Sequence, residues 1–236
     1  MTKQLQGIMY YLSTGIRSAL TIFWAILAFF LILTLMIHFL VEGTVIAFNL
    51  SFPIYIFAGV IGFITVKGVL PYLIKVGANR INLYIGVAIF FIALSIFNSI
   101  IANILFSTAT TLLGPNYEAM FRVTTGETTF YLHHLADILE NNGWFSRVVI
   151  DTSISFFLLT VFFISGLIFY RYGLIGGFSF SGIIIFSFII GLSNGWLIDF
   201  FVYIFENFSI VFFYQLTAVA FLIYLLSFFL LRRFTI

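Results

Sequence analysis

Six long, uninterrupted apolar runs limit what this chain can fold into. A hydrocarbon core of about 30 Å needs roughly 20 apolar residues in helical conformation. The runs are continuous and do not alternate with polar residues as membrane β-strands do, so they indicate helices. We therefore predict an all-α membrane protein with six transmembrane helices, near Ala19–Leu40, Leu50–Val66, Leu83–Ala109, Val148–Tyr170, Leu174–Ile198 and Ile210–Leu231.

Composition supports the same class. The chain is 63% hydrophobic and 8% charged, outside the range of soluble proteins. The apolar runs fill more than half of the 236 residues, which predicts one transmembrane domain over residues 1–236. A charge at the centre of a membrane helix costs about 2.5–3.5 kcal/mol on insertion scales. We expect no charged residue deep inside a span, which argues against a proton- or ion-coupled carrier.

The charged residues are sorted by side. An excess of Lys and Arg marks cytoplasmic segments, so both termini are predicted to be cytoplasmic in a bacterial cytoplasmic membrane. The predicted inner segments hold Lys3, Arg17, Lys67, Lys75, Arg80, Arg171, Arg232 and Arg233. The predicted outer segments hold all the acids and two arginines: Glu42, Glu118, Glu127, Asp137, Glu140, Asp151, Asp199, Glu206, Arg122 and Arg147.

Two inner segments predict helices of their own. Apolar residues recur at helical spacing over Lys3–Ser18 and polar residues recur on another face, which predicts a separate amphipathic helix lying flat at the interface. Between spans two and three, Pro71 suits the first turn of a short helix and Gly77 its C-terminal cap. That helix either lies on lipid or enters a groove on a partner protein. Its residues are Tyr72, Leu73, Ile74 and Lys75.

The long outer segment Thr110–Arg147 predicts a helical cap. Thr128 can cap a helix whose apolar stripe includes Leu132 and Leu135. His133 and His134 would diverge on such a helix, so we expect no metal site and little effect of replacing both.

Polar and small residues inside the spans predict helix packing or the lining of a path. Amides in hydrocarbon need a partner on a neighbouring helix or a water-filled path. Small residues four apart, at Ala58/Gly62 and Gly191/Gly195, predict close backbone approach. The candidate amides are Asn98, Asn103, Asn194 and Gln215.

Catalytic motifs are missing from the sequence. It contains no P-loop, no H-E-x-x-H and no cysteine. We therefore expect no catalytic residue, no metal and no cofactor in this chain. A membrane enzyme is therefore the least favoured class of function.

Two short stretches resemble a known family. Residues Pro71–Arg80 and the run Phe169-Tyr170-Arg171-Tyr172-Gly173 resemble segments of the permease subunits of ABC-2 type exporters, particularly small Gram-positive ones. The resemblance implies that a separate cytoplasmic ATPase, carrying ATP and Mg, docks at Tyr72–Lys75. It also implies that a second permease copy, or a similar permease, completes the path. This chain departs from the family pattern in having its long outer segment between spans three and four.

The predicted function is therefore the transmembrane subunit of an ATP-driven exporter of an amphipathic peptide or lipid-like substrate. Its partners would be the ATPase, a second permease and the lipid bilayer, with no nucleic acid. The alternative is a non-transporting accessory or immunity protein that binds a peptide or a partner permease.

Overall fold

The computed structural model describes residues 2–40, 45–113, 129–138, 143–206 and 209–232. Within these ranges the chain is almost entirely helical, and five helices are long and apolar enough to cross a membrane. The helices are α1 (Thr2–Leu40), α2 (Ser51–Ile64), α3 (Leu70–Lys75), α4 (Arg80–Leu113), α5 (Trp144–Ser193), α6 (Trp196–Glu206) and α7 (Ile210–Arg232).

The first helix is continuous, which corrects the prediction of a separate N-terminal helix. α1 has 39 residues, and at 1.5 Å per residue it is about 58 Å long, roughly twice the hydrocarbon thickness. The predicted amphipathic faces are confirmed, because Ile8 and Leu12 are buried whereas Lys3 and Arg17 are exposed. The buried face packs on protein: Ile8 lies against Gly86 of α4.

The predicted short helix between the second and third spans is present as α3, but it continues from α2. A π-helical turn, Thr65–Val69, joins the two, so Ser51–Lys75 is helical throughout. Pro71 lies in the first turn of α3, as predicted. Gly77 ends the helix at φ 89°, a conformation that favours glycine.

α5 runs for 50 residues but bends sharply at Gly173, where φ is 68° and ψ is −167°. The Phe169 ring lies so close to Gly177 that a Cβ there would come within 2.1 Å of it. In a straight helix, residues eight apart such as Phe169 and Gly177 would be about 12 Å apart along the axis, so their close approach requires a bend between them. The bend falls at the predicted boundary between the fourth and fifth runs.

The predicted helical cap is wrong where the chain is described. Thr129–His133 is a strand, β2, which pairs in parallel with β1 (Val45–Asn49). Only Leu135–Ile138 is helical, as a short 3-10 turn. Thr128, the predicted cap residue, lies outside the described residues. We call residues 129–138 the His134 segment.

The tightest helix contact joins α2 to α5. A Cβ on Gly62 would lie 2.3 Å from the Leu159 carbonyl oxygen, so only glycine permits this approach. On α5, a Cβ on Gly166 would lie 3.0 Å from the Val66 side chain and 3.1 Å from the Phe63 carbonyl oxygen. The prediction of close approach at Ala58/Gly62 is confirmed. At the second predicted pair, Gly195 instead ends α5 with φ 80°, and Gly191 lies under the Trp196 ring.

The bundle has two distinct ends. At the basic end, Arg80 Nη1 donates to the Arg232 carbonyl oxygen, and Gln4 Nε2 donates to the Gly77 carbonyl oxygen at 3.2 Å. At the opposite end, which we call the His134 end, Ala136 packs with Ile150 of α5 and Phe213 of α7. The main apolar core fills the length nearer the basic end, where α1, α2, α4, α5 and α7 meet.

Candidate functional site

A buried carboxylate lies near the His134 end of the bundle. Asp151 is 0% exposed, although it lies only two turns into α5. Tyr55 donates its hydroxyl to Oδ1 at 2.6 Å, and Asn103 Nδ2 donates to Oδ2 at 3.3 Å. His134 Nε2 lies 3.1 Å from Oδ2. Three parts of the chain thus supply hydrogen bonds to one carboxylate on a fourth, which can satisfy a buried anion without solvent.

The tautomer of His134 follows from its second nitrogen. The backbone N–H of Ala136 donates to Nδ1 at 2.9 Å. Since Nδ1 must present a lone pair to accept that bond, the proton of the neutral ring lies on Nε2. Nε2 therefore donates to Asp151, and the local backbone turn fixes the direction of this bond.

A cation accompanies the carboxylate. Arg147 precedes Asp151 by four residues on α5, a spacing that places both on one helix face. The guanidinium carbon lies 4.4 Å from the centroid of the Phe106 ring, within the range of a cation–π contact. The same ring meets His134 edge to face, with centroids 5.7 Å apart. The Phe106 ring therefore contacts both the arginine and the imidazole.

The start of α2 positions Tyr55, and one face of α4 positions Asn103. Asn49 accepts a hydrogen bond from the Phe52 N–H at 2.9 Å and so caps the start of α2, one turn before Tyr55. On α4, Ser95, Ser99 and Asn103 recur every four residues and therefore share one face. Their backbone bonds follow that face: Ser99 Oγ donates to the Ser95 carbonyl oxygen, and Asn103 Nδ2 to the Ser99 carbonyl oxygen, each at 2.8 Å.

Several buried polar atoms near this face have no hydrogen-bond partner within the described part of the chain. They are Asn98 Nδ2, Asn103 Oδ1 and Ser155 Oγ. The other end of the Asn98 amide does have a partner, because its Oδ1 accepts a hydrogen bond from Trp24 Nε1 at 3.2 Å. An unpartnered buried polar atom costs about 1–3 kcal/mol, and ordered water commonly fills that role.

The burial of Asp151, which the sequence assigns to an outer segment, was not predicted. Its partners Tyr55 and His134 are 96 and 17 residues away in sequence, so their convergence has no local signal. The available signal was Asp151 followed by Ser155, two polar residues on one face of an apolar run. The expectation that His134 could be replaced without effect is not compatible with its burial and hydrogen bonds.

The predicted amides divide into two groups. Asn98 and Asn103 are fully enclosed, and Asn103 belongs to the carboxylate site. Asn194 and Gln215 are exposed on the surface of the bundle. Only the first two of the predicted packing or path-lining amides are therefore buried, and each has its own partner, Trp24 for Asn98 and Asp151 for Asn103.

The predicted docking residues lie at the basic end, where Leu73 and Ile74 pack inward whereas Tyr72 and Lys75 are exposed. Leu73 is 7% exposed and belongs to the main core. Ile74 is half-buried beside it, and Tyr72 stacks on Tyr11 with ring centroids 4.7 Å apart. Lys75 is exposed, as is Val76 immediately after it. Docking of an ATPase at Tyr72–Lys75 stays a prediction, but the surface available for it is smaller than the four residues suggest.

A second feature is an apolar cleft between α1 and α4. Its volume is about 220 Å³. Small side chains, Ala28 and Ala109, leave room between larger ones, and hydrocarbon predominates in its walls. The other lining residues are Leu31, Ile32, Leu35, Leu105, Thr108 and Leu112.

The geometry limits the chemistry of the carboxylate site. Its three hydrogen bonds come from protein groups, so Asp151 can hold α2, α4 and the His134 segment against α5. Among the described residues, no three His, Asp or Glu side chains come close enough to hold a metal ion. Comparison with models of protein families, with characterised proteins and with solved structures finds no match to this chain.

Proposed function

We propose that this chain is the transmembrane permease subunit of an ATP-driven exporter whose ATP is hydrolysed by a separate cytoplasmic subunit. In this proposal six crossings form half of a path that a second permease completes. The chain has no catalytic residue of its own and moves between two states that the ATPase stabilises differently.

The observation that carries the proposal is the close packing of α3 against the first half of α1. Tyr72 stacks on Tyr11, and Leu73 shares the core with Ile8 and Leu12. Gln4 also bonds to the backbone of Gly77. A partner that pushed on α3 would therefore move α1 with it, because the two are packed as one unit. A plain connector between two spans needs no such coupling.

The bend at Gly173 supports a count of six crossings. Before the bend, Gly166 packs against Val66, next to Lys67 and so toward the basic end. After α6, Phe213 of α7 packs at the His134 end. Residues 174–206 then have to run the length of the bundle. This passage would be the fifth crossing, with α7 the sixth.

The apolar cleft supports the proposed substrate class. Its walls, between α1 and α4, are almost wholly alkyl groups. Such a surface favours the hydrocarbon part of an amphipathic peptide or a lipid-like molecule. The cleft lies beside α1, the helix that α3 would move.

The test is co-purification from the native host at native expression. We expect the tagged chain, extracted in detergent, to bring down a protein with a P-loop, and the complex to hydrolyse ATP. The double variant Lys75→Glu/Val76→Asp should lose at least about nine tenths of that protein, because exposed interface anchors dominate small interfaces. Both positions are exposed, so folding should be unaffected.

The matched control is Lys3→Glu, which reverses an exposed charge on α1. It should retain the P-loop partner. Replacing Leu73 is unsuitable as a test, because that side chain belongs to the core. If the unaltered chain purifies without a P-loop protein and without ATPase activity, the exporter proposal fails and the accessory-protein function takes its place.

A further inference from the structure

The apolar cleft between α1 and α4 lies at the depth of the hydrocarbon core. Arg17, which is exposed, is the basic residue of α1 nearest to the cleft. Ala28 and Leu35 lie about 16 and 27 Å beyond Arg17 along the helix. Lys and Arg side chains near the ends of membrane helices reach the headgroups, and the hydrocarbon core is about 30 Å thick. The cleft is therefore level with the half of the core toward the His134 end.

The cleft opens sideways onto the surface of the bundle. Its floor is buried, because Leu31 and Ala109 pack in one apolar cluster with Ile54 of α2. Its rim is open, since Ile32 of α1 is 57% exposed and Leu112 of α4 is 61% exposed. A molecule in the cleft would therefore contact packed protein on one side and the surrounding bilayer on the other.

The walls of the cleft suit a hydrocarbon chain and do not suit a peptide. Thr108 is the one polar side chain among the described lining residues, and its hydroxyl already donates to the Ile104 carbonyl oxygen at 2.8 Å. An extended peptide would leave its backbone N–H and C=O groups without partners there. A helical peptide is about 10–12 Å across. The cleft volume of about 220 Å³ is below the roughly 300–1,000 Å³ of pockets for drug-sized ligands.

We infer that the cleft is a binding site for one acyl chain of a membrane lipid, in the leaflet toward the His134 end. The lining residues extend from Ala28 to Leu35 and from Leu105 to Leu112, so the cleft is about 10 Å long. Over that length its volume accommodates a single extended chain. Lipid tails are as apolar as the walls, so selectivity comes from packing: a chain that fills the cleft gains dispersion contacts that an empty void forfeits.

The acyl-chain site narrows the substrate class of the proposed exporter from an amphipathic peptide or lipid-like molecule to a lipid, and to that extent it rests on the proposed function. Occupancy of the cleft itself needs no ATPase. The absence of a P-loop partner would leave the binding site in place, and an unoccupied cleft would leave the co-purification test unaffected.

The experiment is photolabelling of the purified chain in phosphatidylcholine vesicles. A small fraction of the lipid carries a diazirine halfway along one acyl chain, and the labelled residues are located by mass spectrometry. Phe29 and Met36 provide the internal control, because they are exposed on α1 at the same depth but lie outside the cleft. We expect adducts on the buried floor residues Leu31 and Ala109 at least about threefold more often than on these two, because a chain held in the cleft stays in contact with the floor.

Two variants test whether the labelling depends on the cleft. Ala28→Phe fills the cleft from α1 and should reduce labelling of the floor to no more than that of the two control residues. Ala25→Phe adds the same side chain at an exposed position of α1 outside the cleft and should change nothing. Equal labelling of floor and control residues in the unaltered chain, or a floor signal that survives Ala28→Phe, would overturn the site. If Ala28→Phe is not monodisperse, Thr108→Phe, which fills the cleft from α4, takes its place.

Discussion

Single atoms set the distance between α2 and α5. A Cβ on Gly62 would lie 2.3 Å from the Leu159 carbonyl oxygen, so the two helices approach this closely only because residue 62 has no side chain. Without water to drive helix association, such close packing is a main source of stability in membrane proteins. The Leu159 carbonyl group belongs to the backbone, so it cannot move aside as a flexible side chain can. This position is therefore the least tolerant contact between the two helices.

We predict that Gly62→Ala separates α2 from α5 and destabilises the fold by about 1–3 kcal/mol, the usual cost of overpacking. The measurement is the midpoint of thermal unfolding of the purified protein. Gly7→Ala is the matched control, since a Cβ at this helical glycine meets nothing within 4 Å. It should be neutral or slightly stabilising. Equal midpoints for the two variants would contradict the prediction.

Residue patterns predicted some of these contacts and missed others, for one physical reason. Small residues four apart, such as Ala58 and Gly62, are visible in sequence because both partners of the pattern lie on one helix. The surroundings of Asp151 are not visible, because its donors come from α2, α4 and the His134 segment. Its place near the start of an apolar run made a surface position the simpler expectation.

At the scale of the elements, the bend in α5 depends on one glycine. The φ of 68° and ψ of −167° at Gly173 lie in a region that is essentially restricted to glycine. The long helix divides there, and both halves are strongly apolar. The bend therefore determines whether the chain turns back along the bundle or runs straight past its end.

We predict that Gly173→Ala destabilises the protein by about 1–3 kcal/mol, because the side chain imposes backbone strain. The control is Gly182→Ala in the same helix, where φ is helical and a Cβ has open space. Thermal midpoints of both variants, compared at matched monodispersity, provide the readout. An unaltered midpoint for Gly173→Ala would indicate that α5 tolerates a straight path.

The strand pair illustrates why the helical cap was mispredicted. Periodic apolar residues around 131–139 fit a helix locally, but Thr, Phe and Tyr at 129–131 also favour strands. The deciding factor is a partner strand at 45–49, whose Val45 pairs with Thr129. Tertiary context of this kind overrides local propensity, and a single segment gives no sign of it.

At the scale of the whole molecule, basic residues gather at one end. Lys75, Arg80 and Arg232 come together there, although they lie on different helices. The sorting of charges along the sequence predicted that grouping, since each change of side coincides with an apolar run. The approximate positions of the apolar runs were predicted for the same reason, but helix lengths were not, since α1 is continuous over 39 residues and α5 over 50. The contacts of α1 with α3 and α4 were not.

We predict that the basic end faces the cytoplasm and that the chain crosses the membrane six times. Cysteines replacing Val76 and Tyr172 should be shielded from an impermeant thiol reagent in intact cells. Cysteines replacing Gly143 and Asn194 should react. All four positions are exposed, so differences in labelling would report the side of the membrane. Labelling at position 76, or shielding at 194 with labelling at 172, would refute the six-crossing arrangement.

The long sequence separation of Tyr55 from Asp151 also affects how the protein is made. Tyr55 precedes its carboxylate partner by 96 residues, and synthesis at about 5–20 residues per second places roughly 5–20 s between their emergence. By the end of that interval α2 and α4 are complete, whereas the acceptor of their inward-facing donors has only just been made. The carboxylate network therefore cannot form until more than half of the chain has been synthesised.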